Sequence, residues 1–422
     1  MMKKNKKMRL VRQIMYKRND PEYEEMDELC FKSKNLYNAT LYAVRQSFIK
    51  NNEYLSFNRI NKIFVKENNV DYRALPAKVS KYTQMFVDFA MKSFFALVKK
   101  KKKGEYDRKV RLPKYLDKSK GRMTVHYEKG ALSFKKKKGY IHLSKTEIFV
   151  KMPEDLNEKD IKFVRIVPRC GKITVEIGFE REPEPQVMAG SYASIDPGVN
   201  NLVTMVDTVT KNPVIINGRP LKSINQWYNK KIAEMRSETE RLHGKYWSHK
   251  MSSVTNRRNN KIKDYMHKAS AYIVNHLVSN RIGTLIIGEI KEWKQDTNMY
   301  KVNNQNFVCI PFEMLKSMLE YKCRLAGIKV VRQDEAYTSK CSFLDNEEIR
   351  KHKKYMGSRT KRGCYKTSTG RKVNADVNSA CNIMKKYLLK VAGNCKNLLH
   401  KLVEVFSTPC LKVKTFQVLS YS

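Results

Sequence analysis

The segment from residue 193 to residue 207, ASIDPGVNNLVTMVD, decides the fold of the C-terminal half of the chain. Two runs, YASID and LVTMVD, are short, apolar and rich in β-branched residues, and Pro197-Gly198 separates them as a turn. This pattern predicts a buried antiparallel hairpin with Asp196 at the end of its first strand. PVIING, at residues 213–218, is a candidate third strand.

Strands and helices alternate after this hairpin. A long helical stretch is predicted from about residue 221 to residue 281, because apolar residues recur there at helical spacing. TLIIG, at residues 284–288, is a continuous apolar run of the kind found in a strand covered on both faces. Pro311 opens a helix that Gly327 closes, the strand IKVVRQ follows, and a final helix begins near Asn374. The alternation predicts an α/β sheet.

The N-terminal half has a different pattern. Residues 20–125 are predicted to be mostly helical after a short opening strand, and the clearest helix follows Pro76. Residues 126–188 have the alternating pattern of strands, with a turn at Cys170-Gly171. Two consecutive X-Pro units at residues 182–185 resist helix formation and mark a linker.

The charge balance indicates a polyanionic partner. The chain carries 85 Lys and Arg against 41 Asp and Glu, a formal net charge of +44. Like charges repel in a compact protein, and the phosphates of nucleic acid would neutralise them. A solubilising surface and a membrane surface are the alternatives. However, the sequence has no long basic amphipathic anchor, and no run approaches the roughly 18 apolar residues of a membrane span.

The cysteines and the N-terminus indicate a cytoplasmic protein. The nine cysteines are scattered, odd in number and without CxxC pairs, which favours reduced thiols over a disulfide framework. The basic start, MMKKNKKMRL, is followed by no apolar run and therefore does not have the pattern of a signal peptide.

Three basic clusters are candidate nucleic-acid contacts. One follows the helix that begins after Pro76, one forms a turn before the strand YIHLS, and one lies on the long helical stretch. A charge run is otherwise simply a solvated face, and that reading stays open. The candidate residues are Lys99, Lys100, Lys101, Lys102, Lys103, Arg108, Lys135, Lys136, Lys137, Lys138, Arg257, Arg258 and Lys261.

Three acids stand at the ends of predicted elements: Asp196, Glu289 after TLIIG, and Asp376 at the start of the last helix. Ligands of α/β sheets gather beyond strand ends. Mg²⁺ prefers carboxylate and water ligands, and two such ions about 3.5–4 Å apart can stabilise the attacking and leaving oxygens of phosphodiester cleavage. The three acids are therefore candidate ligands, although each alone could be a turn residue or a helix cap.

Three segments look like the signatures of a RuvC-type nuclease domain, which has an RNase H-like fold. They are ASIDPGVNNLVTMVD, TLIIGEIKEW and GRKVNADVNSACNIMKK. With LPAKVSKYTQMFVDFAMKSFFALVKKKKKGEYD nearer the N-terminus, they resemble the TnpB family, transposon-encoded RNA-guided DNA endonucleases that are ancestral to type V CRISPR effectors. The resemblance extends from about residue 10 to residue 390.

The resemblance implies an α+β multidomain protein. Residues 1–188 would form a nucleic-acid recognition lobe, with a helical region at 20–125 and a β-barrel-like wedge domain made of the opening strand and residues 126–188. Residues 189–390 would form an α/β RNase H-like (RuvC) nuclease domain. A C-terminal tail at 391–422 has no counterpart.

The resemblance also implies an activity, a cofactor and partners. Asp196, Glu289 and Asp376 take the positions of the family's catalytic metal ligands, here for two Mg²⁺ ions, and Asn374 and Asn378 could orient Asp376. The protein would bind a guide RNA, as a monomer or dimer per guide, and cleave target DNA beside a short adjacent motif.

One departure from the family concerns zinc. Family members commonly carry a four-cysteine zinc ribbon between the second and third motifs, and structural zinc needs four ligands. Here Cys341 matches the first position, whereas Leu344, Lys366 and Thr369 occupy the others. We therefore expect no structural zinc, and a basic insert at 338–372 in place of the ribbon.

Three other functions compete with a transposon nuclease. Within the family, the chain could be a compact type V CRISPR effector. It could also be a nuclease-inactive RNA-guided DNA-binding repressor, or an RNA-binding structural protein. The acids at Asp196, Glu289 and Asp376 argue against the last two functions, because neither needs a carboxylate site.

Overall fold

The structure, a computed structural model, describes residues 7–169, 171–187, 190–210, 212–244, 246–289, 310–361, 363–392 and 412–417. Within these residues the contacts define two compact units, an N-terminal unit of Lys7–Arg181 and a C-terminal unit from Glu182 onward. The start of the chain, the residues that follow Glu289 in the second motif and most of the predicted tail lie outside the described residues.

Four helices of the N-terminal unit bury their apolar faces in one core. The predicted helix after Pro76 is confirmed as α4, which packs against α1. Proline is well tolerated at such a start because the first helical N–H groups have no partner within the helix. The helices are α1 (Tyr23–Asn51), α2 (Phe57–Lys66), α3 (Val70–Arg73) and α4 (Ala77–Lys102).

Among the residues described for this unit there are also seven strands, which form two separate sheets. A four-stranded sheet has the order β1-β7-β6-β2, and a three-stranded sheet has the order β3-β4-β5. The opening strand pairs antiparallel with β7, from Met8 opposite Arg181 to Tyr16 opposite Ile173. The strands are β1 (Met8–Tyr16), β2 (Val125–Glu128), β3 (Leu132–Ser133), β4 (Tyr140–Leu143), β5 (Phe149–Lys151), β6 (Ile161–Arg169) and β7 (Lys172–Arg181).

The expectation of a β-barrel-like domain is wrong for the described residues. In the four-stranded sheet the outer strands β1 and β2 do not pair with each other, so the sheet is open. Sheets of three and four strands are too small to close around a packed interior, which takes about eight strands in a small barrel.

The C-terminal unit contains a six-stranded mixed sheet, in the order β12-β11-β8-β9-β10-β16. The predicted hairpin is confirmed as β8 and β9, and β11 runs parallel to both β8 and β12. The C-terminal ends of these three parallel strands therefore lie at one edge of the sheet. The strands are β8 (Tyr192–Pro197), β9 (Asn201–Asp207), β10 (Val214–Asn217), β11 (Thr284–Glu289), β12 (Lys329–Asp334) and β16 (Lys412–Lys414).

Within its described residues this unit has four helices: α5 (Arg219–His243), α6 (His249–Ser279), α7 (Phe312–Leu325) and α8 (Ala375–Ala392). The sequence predicted one helical stretch where the structure has α5 and α6. Gly244 has a φ of +58°, a left-handed backbone that stops α5. The Ser248 side chain then accepts a hydrogen bond from the amide of Met251 and caps α6.

The basic insert between β12 and α8 carries a three-stranded antiparallel sheet of β13 (Ser358–Lys361), β14 (Cys364–Lys366) and β15 (Lys372–Asn374). The Glu347 carboxylate organises the loop before it, accepting hydrogen bonds from the amides of Ser342 (2.7 Å) and Met356 (3.0 Å). Lys385 of α8 donates to the carbonyl of Glu347 at 2.9 Å. The hydrogen bonds of Glu347 and the Lys385 ammonium group thus fix the conformation of this loop.

No candidate membrane-spanning helix lies within the described residues. No helix there has both the length and the apolar character that crossing a bilayer requires.

Candidate active site

A cavity of about 270 Å³ opens in the C-terminal unit. Residues from β8, β9, α8, the segment after β12 and the insert line it. Strand ends and a helix start therefore meet here, as the sheet topology requires. The polar side chains that matter below are Asp196, Thr204, Glu335, Arg359, Asp376 and Ser379.

Asp196 lies in this cavity near the end of β8, where the sequence predicted it. Burial raises the pKa of its carboxyl well above the ordinary value, and the charges of Glu335 and Asp376 raise it further. Arg359 acts in the opposite direction. Acids that interact in this way are close together, and a cation would favour their charged forms.

Asp376 is the second residue of α8 and also lines the cavity. Its Oδ2 accepts a hydrogen bond from Asn201 Nδ2 at 2.8 Å, and Arg359 Nη2 lies 3.7 Å from its Oδ1. Asn374 caps the helix instead of holding this carboxylate, because its Oδ1 accepts the amides of Asp376 and Val377. Asn201 is therefore the residue that orients Asp376, and the sequence analysis missed it.

Asn378 connects α8 to the insert. Its Oδ1 accepts the amide of Phe343 and its Nδ2 donates to the carbonyl of Cys341, both at 2.9 Å. Asn382 donates to the same carbonyl at 2.8 Å. These buried amides fix the insert on the helix that carries Asp376, so Asn378 supports the site through packing instead of contact with the acid.

Glu289, the second predicted acid, does not line the cavity. Its carboxylate accepts a hydrogen bond from Arg332 Nη1 at 2.8 Å, and Lys316 Nζ lies 3.7 Å away. Two cations thus neutralise Glu289 in this structure. The prediction that Glu289 lies at the end of β11 is confirmed. The position of its carboxylate is set by its ion pairs with Arg332 of β12 and Lys316 of α7.

Glu335 is the third acid of the cavity, and the sequence analysis did not single it out. It directly follows β12, the strand that was predicted from IKVVRQ. Burial raises the pKa of its carboxyl to about 7, against the opposing charge of Lys316. The signal was present in the sequence, because an acid after a parallel strand ends at the same edge as its neighbours.

The predicted basic residues lie elsewhere, and none of them lines the cavity. Lys99–Lys103, Arg108, Lys135–Lys138 and Arg257 are exposed. Arg258 is already engaged, because its guanidinium donates to Asn225 Oδ1 at 2.6 and 2.8 Å. The exposed clusters stay a prediction of phosphate contacts, whereas Arg258 connects α5 to α6.

The donor atoms of the cavity fit a hard divalent cation. Among the described residues, no three His, Cys, Asp or Glu side chains already stand close enough to hold a metal ion. The cavity nevertheless offers carboxylate and hydroxyl oxygens, which Mg²⁺ accepts as ligands directly or through water. The Thr204 and Ser379 hydroxyls are buried without a hydrogen-bond partner in the described structure.

Two family models match the chain. The OrfB_IS605 model, described as a probable transposase, matches residues 172–294, and the model of a Cas12f1-like TNB domain matches residues 312–383. The first range contains Asp196 and Glu289. The second contains Glu335, Arg359 and Asp376.

A curated relative and a solved structure agree with these matches. The TnpB-like protein ORF457 of Acidianus two-tailed virus is 25% identical over 222 residues, which cover 50% of this chain and 45% of that protein. The match therefore spans less than half the length of the relative. A cryo-EM structure of a Cas12f1-sgRNA-target DNA complex aligns with a TM-score of 0.51 at 14% identity, over 86% of this chain and 82% of that one.

At that identity the solved structure establishes a likeness of fold, while the family models and the viral relative establish a likeness of sequence. The resemblance of the three sequence segments around Asp196, Glu289 and Asp376 to the TnpB family agrees with these matches. Together these matches support a TnpB-family protein.

Proposed function

We propose that this protein is an RNA-guided DNA endonuclease that depends on a divalent cation. The observation that carries the proposal is the cavity in which Asp196 and Asp376 meet, with Arg359 beside them. Acids from separate elements meet there in a chain of net charge +44. A protein that merely bound phosphate would gain nothing from carboxylates beside its ligand.

Each side chain of the cavity has a role in this proposal. Asp196 and Asp376 would bind the cations, and Asn201 would keep the Asp376 carboxylate oriented. Two Mg²⁺ ions bound there would activate water and stabilise the attacking and leaving oxygens of a phosphodiester. Arg359 would contact the phosphate, since a guanidinium matches phosphate geometry. Glu289 would become a further cation ligand after its ion pair with Arg332 breaks.

The partners follow from charge and family. The exposed clusters at Lys99–Lys103 and Lys135–Lys138 would hold nucleic-acid backbone through phosphate contacts. The Cas12f1 structure was determined with guide RNA and target DNA, and we propose the same two partners here. Pairing with the guide would select the DNA sequence, while the protein would recognise duplex shape and a short flanking motif.

The decisive experiment is cleavage of plasmid DNA by protein purified with its own RNA, in the presence of Mg²⁺. Replacing Asp196 by Asn should abolish cleavage and leave RNA binding intact, because the substitution removes a ligand but not a phosphate contact. Asp334→Asn is the matched control, since this carboxylate pairs with Lys386 at the surface. Equal cleavage by wild type and Asp196→Asn would refute the nuclease assignment.

Two further measurements separate the rival functions. Sequencing the copurified RNA distinguishes a transposon-end guide from a CRISPR repeat, because the two have different flanks. A nuclease-inactive repressor or an RNA-binding structural protein would retain the RNA but leave every DNA substrate intact. The acids of the cavity favour the nuclease over both.

A further inference from the structure

Glu335 occupies a fixed position at the cavity. Its amide donates to the carbonyl of Glu289 at 3.2 Å, continuing the pairing of β12 with β11. Its own carbonyl accepts the amide (3.1 Å) and the hydroxyl (2.8 Å) of Thr338. The backbone of Glu335 is therefore held from both sides, and its side chain projects from a defined point.

The carboxylate of Glu335 approaches the backbone of β11 closely. A Cβ atom on Gly288 would stand 2.4 Å from Glu335 Oε2, so a side chain at position 288 would displace this oxygen from its present position. Glu335 Oε2 is shielded from solvent and has no hydrogen-bond partner in the described structure. A shielded carboxylate oxygen without a partner is costly, and a bound cation would compensate that cost.

Two buried hydroxyls line the same cavity. Thr204 on β9 is 0% exposed and Ser379 on α8 is 2% exposed, and neither hydroxyl oxygen has a partner among the described residues. Buried polar groups without a partner are rare in folded proteins and call for an ion or a water. They indicate a ligand independently of the acids, and with the acids they make an oxygen-rich set suited to a hard cation.

We propose that Glu335 is a ligand of the divalent-cation site, together with Asp196 and Asp376, and that Glu289 is outside this set until it leaves Arg332. The inference deepens the proposed function and rests on it. Without a cation the three carboxylates repel one another, which agrees with the absence of a preformed three-acid group in the described chain. Binding would draw them together by rotation of their side chains.

The test is calorimetric titration of Mn²⁺ into the full-length protein without nucleic acid. The variants are Glu335→Gln and Asp196→Asn, with Asp334→Asn as the neighbouring control. Glu335→Gln should weaken Mn²⁺ binding about tenfold or more, on the scale of changes around metal ligands. Asp334→Asn should remain within about threefold of wild type.

Glu335→Asp checks that a loss reflects the position of the carboxylate, since it keeps the charge but withdraws the oxygens by one methylene group. Its affinity should lie between those of wild type and Glu335→Gln, and thermal unfolding confirms that each variant is folded. Wild-type affinity in Glu335→Gln, with affinity lost in Asp196→Asn, would overturn this inference alone. Wild-type affinity in Asp196→Asn, or no binding by the wild-type protein, would overturn the proposed function as well.

Discussion

The guanidinium of Arg332 lies 2.8 Å from the carboxylate of Glu289, and the same side chain binds Glu313 (3.3 Å) and Glu320 (2.7 Å). One arginine thus joins β12 to β11 and to α7. Three acids share the charge of Arg332, and one of them, Glu289, does not line the cavity. Cation binding by Glu289 therefore competes with this cluster.

Replacing Arg332 by Gln should release Glu289 and tighten Mn²⁺ binding several-fold, because it removes the strongest competitor for that carboxylate. Calorimetric titration without nucleic acid measures the effect. Lys329→Gln is the control, since it removes one positive charge from the start of the same strand. Unchanged affinity in Arg332→Gln would mean that Lys316 alone keeps Glu289 away from the cation.

Arg359→Gln should slow DNA cleavage about 10- to 100-fold while leaving Mn²⁺ affinity equal or higher. The guanidinium would stabilise phosphate charge during reaction, but its own positive charge repels the cation. Single-turnover cleavage and Mn²⁺ titration of the same variant separate the two effects. Arg359→Lys should recover part of the rate, because it keeps the charge and loses the planar fork.

A parallel loss of cleavage and of Mn²⁺ affinity in Arg359→Gln would contradict that role. Arg350→Gln provides the control for charge on the insert. This residue pairs with Glu348 at the surface, and both side chains are largely exposed. Its replacement should leave both measurements unchanged.

Replacing Lys99–Lys103 by Gln should weaken nucleic-acid binding and flatten its salt dependence. Each phosphate contact contributes about 0.9 to the slope of log affinity against log salt on duplex DNA. An unchanged slope in the lysine variant would place the phosphate contacts elsewhere.

Arg258→Gln should instead lower the free energy of unfolding by about 1–3 kcal/mol, since it leaves the buried Asn225 without its charged donor.

We expect His126 to lower the stability of the N-terminal unit in acid. Its ring stacks between Tyr82 (3.9 Å) and Phe163 (5.1 Å), and burial lowers its pKa from 6.5 to about 4, with the charge of Arg165 adding to the shift. The unfolded chain therefore binds an extra proton between these two values. The free energy of unfolding should fall as pH falls through that window.

His126→Phe keeps a stacked ring and removes the titration. Between pH 7 and pH 5, the wild-type unit should lose about 2 kcal/mol more stability than the variant, from a shift of this size. Urea unfolding at the two pH values gives the comparison. Identical losses in both proteins would show that His126 does not titrate in this way.

The sequence predicted the main features of the C-terminal unit because those features are local. Asp196 ends an apolar strand beside Pro197-Gly198, and Asp376 opens a helix that Asn374 caps, so each lay where its own neighbours required. The hairpin β8–β9 and the covered strand β11 followed from short apolar runs in the same way.

The features that the sequence did not reveal depend on distant contacts. Glu335 and Asn201 reach the cavity only after three strands and a helix have come together. The position of Glu335 after a strand was a signal in the sequence, whereas no local pattern singles out Asn201. The partner that Glu289 takes is Arg332, 43 residues away along the chain. The break between α5 and α6 was local, at Gly244, but the apolar spacing on both sides concealed it.

Strand β16 has a consequence for attempts to shorten this protein. Val413 pairs with Ile215 of β10, and Phe416 contacts the rings of Tyr265 and Tyr272, so a late segment of the chain closes one side of the main sheet. A chain cut before residue 412 would expose the backbone of β10 and those aromatic rings together. An unpaired strand edge of that kind can pair with the same edge of another molecule, so we expect the shortened protein to aggregate more readily.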